Sequence, residues 1–223
     1  MKKLLFYTLF LLTATQAFAQ KDAAAKTILN QVSQKYRSYN VVKSNFTFTI
    51  ENPRAGMKAT RYGTLITQSK TNKYKVTVYT AGSQSDVEQE IISDGKSQWT
   101  YLKKDKEVQL TGADNSDQSF NPAKIFSIYE HGYKYYYSGD QKSGGKTYQV
   151  IELSPEDDKS QFFKIRLQID KVKKQIYSAL VFDKSGAHYN YTLRSFAAIA
   201  NAPASTFTFD TKAHPGVEVV DLR

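Results

Sequence analysis

The chain reads as mainly β within the α+β class, one strongly curved antiparallel sheet partly covered by two short helices, and three observations predict it. Apolar side chains recur with a period of two from Asn45 onward. The runs are separated by short turn sequences such as Asp94-Gly95, Ser143-Gly144-Gly145, Ser154-Pro155 and Lys184-Ser185-Gly186. Helical spacing of apolar residues appears in only two segments. Many strands joined by short turns form a meander, because antiparallel neighbours need no long crossover.

The first helix is predicted over residues 22–39, with Asp22 as its cap and Ile28, Leu29, Val32 and Tyr36 on one stripe. In the first strand Phe46, Phe48 and Ile50 share one side, and Asn45, Thr47 and Thr49 share the other. The same alternation marks Tyr74-Val76-Val78, Trp99-Tyr101, Val108-Leu110, Phe163-Ile165-Leu167-Ile169, Tyr189-Tyr191-Leu193 and Phe207-Phe209. A second helix, 121–130, is predicted from Asn121-Pro122, a capping side chain followed by proline at the first helical position. Ile125, Phe126, Ile128 and Tyr129 follow before His131-Gly132 ends it.

The first nineteen residues have the marks of a secretory signal peptide. Lys2 and Lys3 form a positive start, Leu4 to Leu12 form an apolar run too short to span a bilayer, and Ala17-Phe18-Ala19 fits the small-residue cleavage rule. Cleavage before Gln20 is expected, leaving one domain over residues 20–223. The chain has no cysteine, which excludes disulfides, thiolate metal sites and the acylated thiol of a lipoprotein. The formal charge of +10 favours acidic partners or anionic surfaces. Nucleic acid is not an expected partner, since the lysines are scattered through Lys70, Lys73, Lys75, Lys103, Lys104, Lys106, Lys171, Lys173 and Lys174.

Candidate chemistry is sparse. Gly144-Gly145-Lys146-Thr147 is like the end of a phosphate loop, but five residues separate Gly139 from Gly145 where the pattern needs four, so a hairpin turn is expected. His131, His188 and His214 are far apart, which argues against a metal site. Ser97 and Ser185 lack the nucleophile-elbow context, and Glu156, Asp157 and Asp158 beside Pro155 read as a solvated turn. No catalytic residue, cofactor or metal is assigned. The period-two pattern leaves two readings open: an ordinary packed core, or a curved sheet whose aromatic inner face holds an apolar ligand.

Three stretches resemble the LolA family of periplasmic lipoprotein carriers. Ile91-Ile92-Ser93-Asp94-Gly95-Lys96-Ser97-Gln98-Trp99-Thr100-Tyr101 is similar to that family's apolar-S-D-G-K-x-x-W-x-Y hairpin. Phe207-Thr208-Phe209 followed by His214-Pro215-Gly216-Val217-Glu218-Val219-Val220-Asp221 resembles its closing segment. A helix running into Val42-Lys43-Ser44-Asn45-Phe46-Thr47-Phe48 resembles its start. The resemblance implies an unclosed antiparallel β-barrel with a lid of short helices over a hydrophobic concave face, and a non-enzymatic carrier of lipoprotein acyl chains. A periplasmic sensor of lipids or lipoproteins on the same fold is the alternative.

Carried over by position, the resemblance puts Phe46, Phe48, Ile50, Val76, Trp99, Tyr101, Ile165, Leu167, Phe182, Tyr191 and Leu193 on the acyl-chain wall. Ile28, Leu29, Val32, Tyr36, Ile125, Phe126, Ile128 and Tyr129 would form the lid. The implied partners are acylated lipoproteins, an inner-membrane lipoprotein-releasing ABC transporter and an outer-membrane acceptor, with the carrier itself a periplasmic monomer. The family commonly has an Arg-Pro pair after the second strand's G-x-L, its arginine holding the lid closed. Here Gly63-Thr64-Leu65 is followed by Gln68-Ser69-Lys70-Thr71 without proline, and Lys70 would stand in by charge after a one-residue insertion, lacking the planar fork of guanidinium.

Overall fold

The computed structural model describes residues 23–69, 71–113, 125, 126, 129 and 132–223. A helix, α1, spans 23–37. Thirteen strands follow among the described residues. The first half comprises β1 (Val41–Asn52), β2 (Met57–Gln68), β3 (Lys73–Tyr79), β4 (Val87–Asp94), β5 (Ser97–Leu102) and β6 (Glu107–Gly112). The second half comprises β7 (Tyr133–Ser143), β8 (Lys146–Pro155), β9 (Phe162–Asp170), β10 (Gln175–Asp183), β11 (His188–Leu193), β12 (Ala197–Ile199) and β13 (Glu218–Asp221).

They form a single sheet in the order β13-β6-β5-β4-β3-β2-β1-β11-β10-β9-β8-β7, with β12 also pairing β1. The two ends of this path, β13 and β7, are not paired to each other, so the curved sheet is an unclosed barrel. Every ladder is antiparallel except that of β13, which lies parallel to β6. The closure between the halves is made by β1, whose Phe46, Phe48 and Ile50 stand opposite Leu193, Tyr191 and Tyr189 of β11.

Register defines the inner face. Val42, Phe46, Leu65, Tyr74, Val76, Ile151, Leu153, Ile165, Leu167, Ile169, Ala179, Val181 and Tyr191 belong to one buried apolar cluster, and α1 adds Ala25, Ile28, Leu29 and Val32 to it. The amphipathic stripe is therefore the face that α1 turns to the sheet. At the centre of this face the Phe46 ring lies on Gly63, its partner on β2. A Cβ at Gly63 would sit 2.3 Å from Phe46 Cζ, so the glycine is needed for the close approach of the ring.

The outer face has a second, smaller apolar layer that the alternation in β4–β6 does not announce. Ile92, Tyr101 and Val108 are buried there, and so is Phe207. The segment after β12 packs across β3 and β4 before its end joins β6 as β13. Phe207-Phe209, expected as a strand, lies instead at the end of a 3-10 turn, Ala204–Phe207, whose phenylalanine fills this layer. Ser143-Gly144-Gly145-Lys146 is the β7–β8 hairpin turn, with φ of 54° and 73° at its two glycines.

Candidate functional site

The inner face places most of the expected wall residues together. Phe46, Val76, Ile165, Leu167 and Tyr191 are buried in its cluster, with Phe48 and Leu193 half-buried against it. Ile50 shares their side of β1, opposite Tyr189. Of the expected lid, Ile28, Leu29, Val32, Ile125, Phe126 and Tyr129 are buried in the same cluster, and Tyr36 packs on it half-buried. Ile125 and Phe126 form a 3-10 turn; the rest of the helix expected over 121–130 falls on or beside residues outside the described set, Ile128 among them. Lys70 also lies outside the described residues.

Three wall assignments are corrected by register. Val76 faces Ile91, and Ile91 faces Thr100, so Trp99 and Tyr101 project to the opposite side of the sheet. Tyr101 instead packs tilted against Phe209 and edge-on to His214, with ring centroids 5.3 and 4.7 Å away, under the closing segment. Phe182 follows the inward Val181, pairs with Lys164 and His188, and is on the outer face. There the Lys164 ammonium sits 4.5 Å above its ring. β10 is apolar on both sides around Phe182 and offers no alternation from which to choose a face, whereas β5 alternates but its pattern does not say which side is inner.

Leu65, Ile151, Leu153, Val181 and Tyr189 line the inner face and were not expected there. The signal for three of them was present, since Ile151 and Leu153 keep period two with Gln149 within β8, and Tyr189 shares the alternation of Tyr191 and Leu193.

α1 is fixed to the wall at its C-terminal end. Tyr36 Oη and Thr67 Oγ1 share a hydrogen bond of 2.9 Å, and Ser69 Oγ donates to the Tyr36 carbonyl at 3.2 Å. Burial pushes the Tyr36 phenol up, partly offset by its hydrogen bonds with Thr67 and Ser69. The other face of its ring stacks on Phe126 at 4.4 Å, and Phe126 meets Phe196 edge-on at 6.0 Å. Tyr36 thus joins helix, 3-10 turn and sheet.

Where this packing ends, the inner face opens into a cleft of about 210 Å³ lined by Phe48, Phe162, Val181, Tyr189 and Tyr191, with Gln161 and Asp183 also at its walls. Phe48 stacks on Tyr191 at 4.5 Å and lies nearly parallel to Tyr189 at 6.2 Å. Burial pushes the Tyr191 phenol far up. The surface offered is mainly aromatic and aliphatic, with the phenol hydroxyls, Gln161 and Asp183 as its polar groups, which suits the burial of a hydrocarbon ligand. Among the described residues no cluster of three or more His, Asp or Glu could hold a metal ion. Among the same residues no helix is long and apolar enough to cross a membrane.

An unclosed β-barrel with a helix lying on its apolar inner face defines the class of protein. Residues 83–210 match the family described as outer membrane lipoprotein carrier protein LolA, and the chain belongs to that family. A comparison with curated proteins finds no match. The fold is shared with an uncharacterized conserved protein from Thermus thermophilus: TM-score 0.60, 12% identity, covering 89% of this chain and 99% of that one. It is shared as well with a DUF1329 family protein from Desulfovibrio piger: TM-score 0.51, 11% identity, covering 85% and 98%. A LolA superfamily protein from Nitrosomonas europaea overlaps at a TM-score of 0.47 with 15% identity, over 84% and 98% of the two chains.

Proposed function

We propose that the protein is a periplasmic, non-enzymatic carrier that shields the acyl chains of lipoproteins on the inner face of its half-barrel. It would take them from an inner-membrane ABC transporter and pass them toward the outer membrane. The observation that carries this reading is the continuous apolar surface shared by α1 and the sheet, which opens into the aromatic cleft beside Phe48 and Tyr191. Membership of the LolA family supports it, as do the leader-like first nineteen residues.

The energetics require such a device. Each acyl methylene gains about 0.8 kcal/mol by staying out of water, so a multiply acylated protein leaves a bilayer only when another apolar surface replaces it. An empty carrier must hide that surface in turn, because a large exposed apolar patch promotes association. In this reading α1 does so: with cargo absent it covers the inner face, and with cargo present it swings away from Thr67 and Phe126. The cleft of about 210 Å³ is below the roughly 300–1,000 Å³ usual for ligand pockets. Loading therefore requires the lid to move.

The experiment is native mass spectrometry with lipid extraction on protein purified from its own host's periplasm, compared with the Phe48→Glu variant. Acylated peptides or lipoproteins that co-purify with the parent and are lost from the variant are the expected result. Absence of any captured lipoprotein, even after incubation with donor membranes, transporter and ATP, would overturn the carrier reading.

A further inference from the structure

The turn joining β9 to β10, Lys171-Val172-Lys173-Lys174, presents an unusual side chain. Val172 is 88% exposed, the most exposed of the large apolar residues described. A single surface valine is ordinary, but this one is held at a fixed tip. The Asp170 carboxylate accepts the N–H groups of Val172 and Lys173 at 3.1 and 2.8 Å. Lys174 adopts a left-handed φ of 50° and its N–H donates to the Asp170 carbonyl at 2.8 Å.

Cations surround that tip. The Lys171 N–H donates to the Thr147 carbonyl at 3.0 Å, which sets the neighbouring β7–β8 turn, with exposed Lys142 and Lys146, alongside. Lys35, near the end of α1, donates its ammonium to the Lys173 carbonyl. The nearby carboxylates are engaged: Asp170 holds the turn, and Asp140 takes the Lys171 ammonium at 2.7 Å. At the opposite end of the same strands the turns carry four carboxylates, Glu156, Asp157, Asp158 and Asp183, against two ammonium groups, Lys159 and Lys184. The second half of the sheet is therefore electrically polar along its strands.

We propose that this basic end is a docking surface for an anionic phospholipid bilayer, with Val172 reaching the boundary between headgroups and acyl chains and the lysines lying at phosphate level. Each lysine near an anionic leaflet contributes a modest attraction, and long stems let the ammonium groups follow a fluid phosphate surface. A protein partner is a poorer fit, since protein interfaces are depleted of lysine and enriched in aromatic residues and arginine. One valine and a few lysines give weak, reversible attachment. The proposal stands independently of what the inner face carries.

The test is sedimentation of the purified protein with vesicles of phosphatidylcholine containing about 30% phosphatidylglycerol, in roughly 0.1 M salt, against pure phosphatidylcholine. Binding to the anionic vesicles alone is expected, falling about tenfold or more in Lys146→Glu/Lys173→Glu. Lys104→Glu/Lys159→Glu makes the same change in net charge at the opposite end of the sheet and should cost less than about threefold. Because the chain has no cysteine, Val172→Cys gives a unique site for an environment-sensitive fluorophore, which should brighten on anionic vesicles while the same label on Lys104→Cys does not. Equal losses in the two double variants, or a silent label at position 172, would overturn the proposal. So would absence of vesicle binding, and capture on immobilised polyglutamate in that case would assign the surface to an acidic protein.

Discussion

The phenol of Tyr36 and the hydroxyl of Thr67 share a 2.9 Å hydrogen bond that ties α1 to the wall of the half-barrel. Tyr36→Phe keeps the ring on Phe126 and removes the phenol's hydrogen bonding, leaving the Thr67 hydroxyl, 5% exposed, without that partner. The loss should be about 1 kcal/mol in urea unfolding. Amide exchange across 23–37 should quicken about fivefold, while the strands of the second half keep their protection. Unchanged exchange in α1 would show that the bond does not hold the lid.

Gly63 is the second lever. Gly63→Ala replaces a poor strand former by a better one, yet its methyl would meet the Phe46 ring at 2.3 Å. Displacing a buried ring costs about 1–3 kcal/mol, so net destabilisation is expected. In the Phe46→Ala background the same substitution should cost much less, and a double-mutant cycle measures this coupling.

Alkaline pH should unfold the protein through its buried phenols. Burial raises Tyr191 and Tyr36, and Tyr137 is pushed up to about 12 by burial and by donation to Asp140. In the unfolded chain tyrosine loses its proton near pH 10. Above that pH the unfolded state binds fewer protons than the folded state, so stability falls as pH rises. The contribution is fully present below about pH 10, and Tyr191 alone should give a slope of about 1.4 kcal/mol per pH unit above it. Tyr191→Phe should remove that part of the slope, as read from urea midpoints between about pH 9 and 11.

The outer layer should affect stability without affecting the inner face. Phe207 is 3% exposed beneath the closing segment, and Phe207→Ala should cost about 3–5 kcal/mol. At temperatures where this variant remains folded, the capture of acylated cargo that the carrier proposal predicts should equal that of the parent. Selective loss of capture would instead link the closing segment to the site.

Local pattern determined a great deal in this chain. The 3.6-residue stripe of Ile28, Leu29 and Val32 found its helix and the buried face of that helix. Period two found β1, β3, β9 and β11, and Gly-containing turns separated the strands, because both signals arise within a few residues of backbone geometry. Trp99, Tyr101 and Phe182 show what lay beyond that reach. Each stands on a real strand, but which side is inner depends on what covers the other side, and here a segment from far later in the chain covers Tyr101. Only the tertiary structure decided the faces of β5 and β10, the seating of Phe46 on Gly63 and the bond from Tyr36 to Thr67. These are contacts between residues distant in sequence, fixed when the curved sheet, its helix and its closing segment pack together. Period two specifies alternation and leaves its sign to that packing.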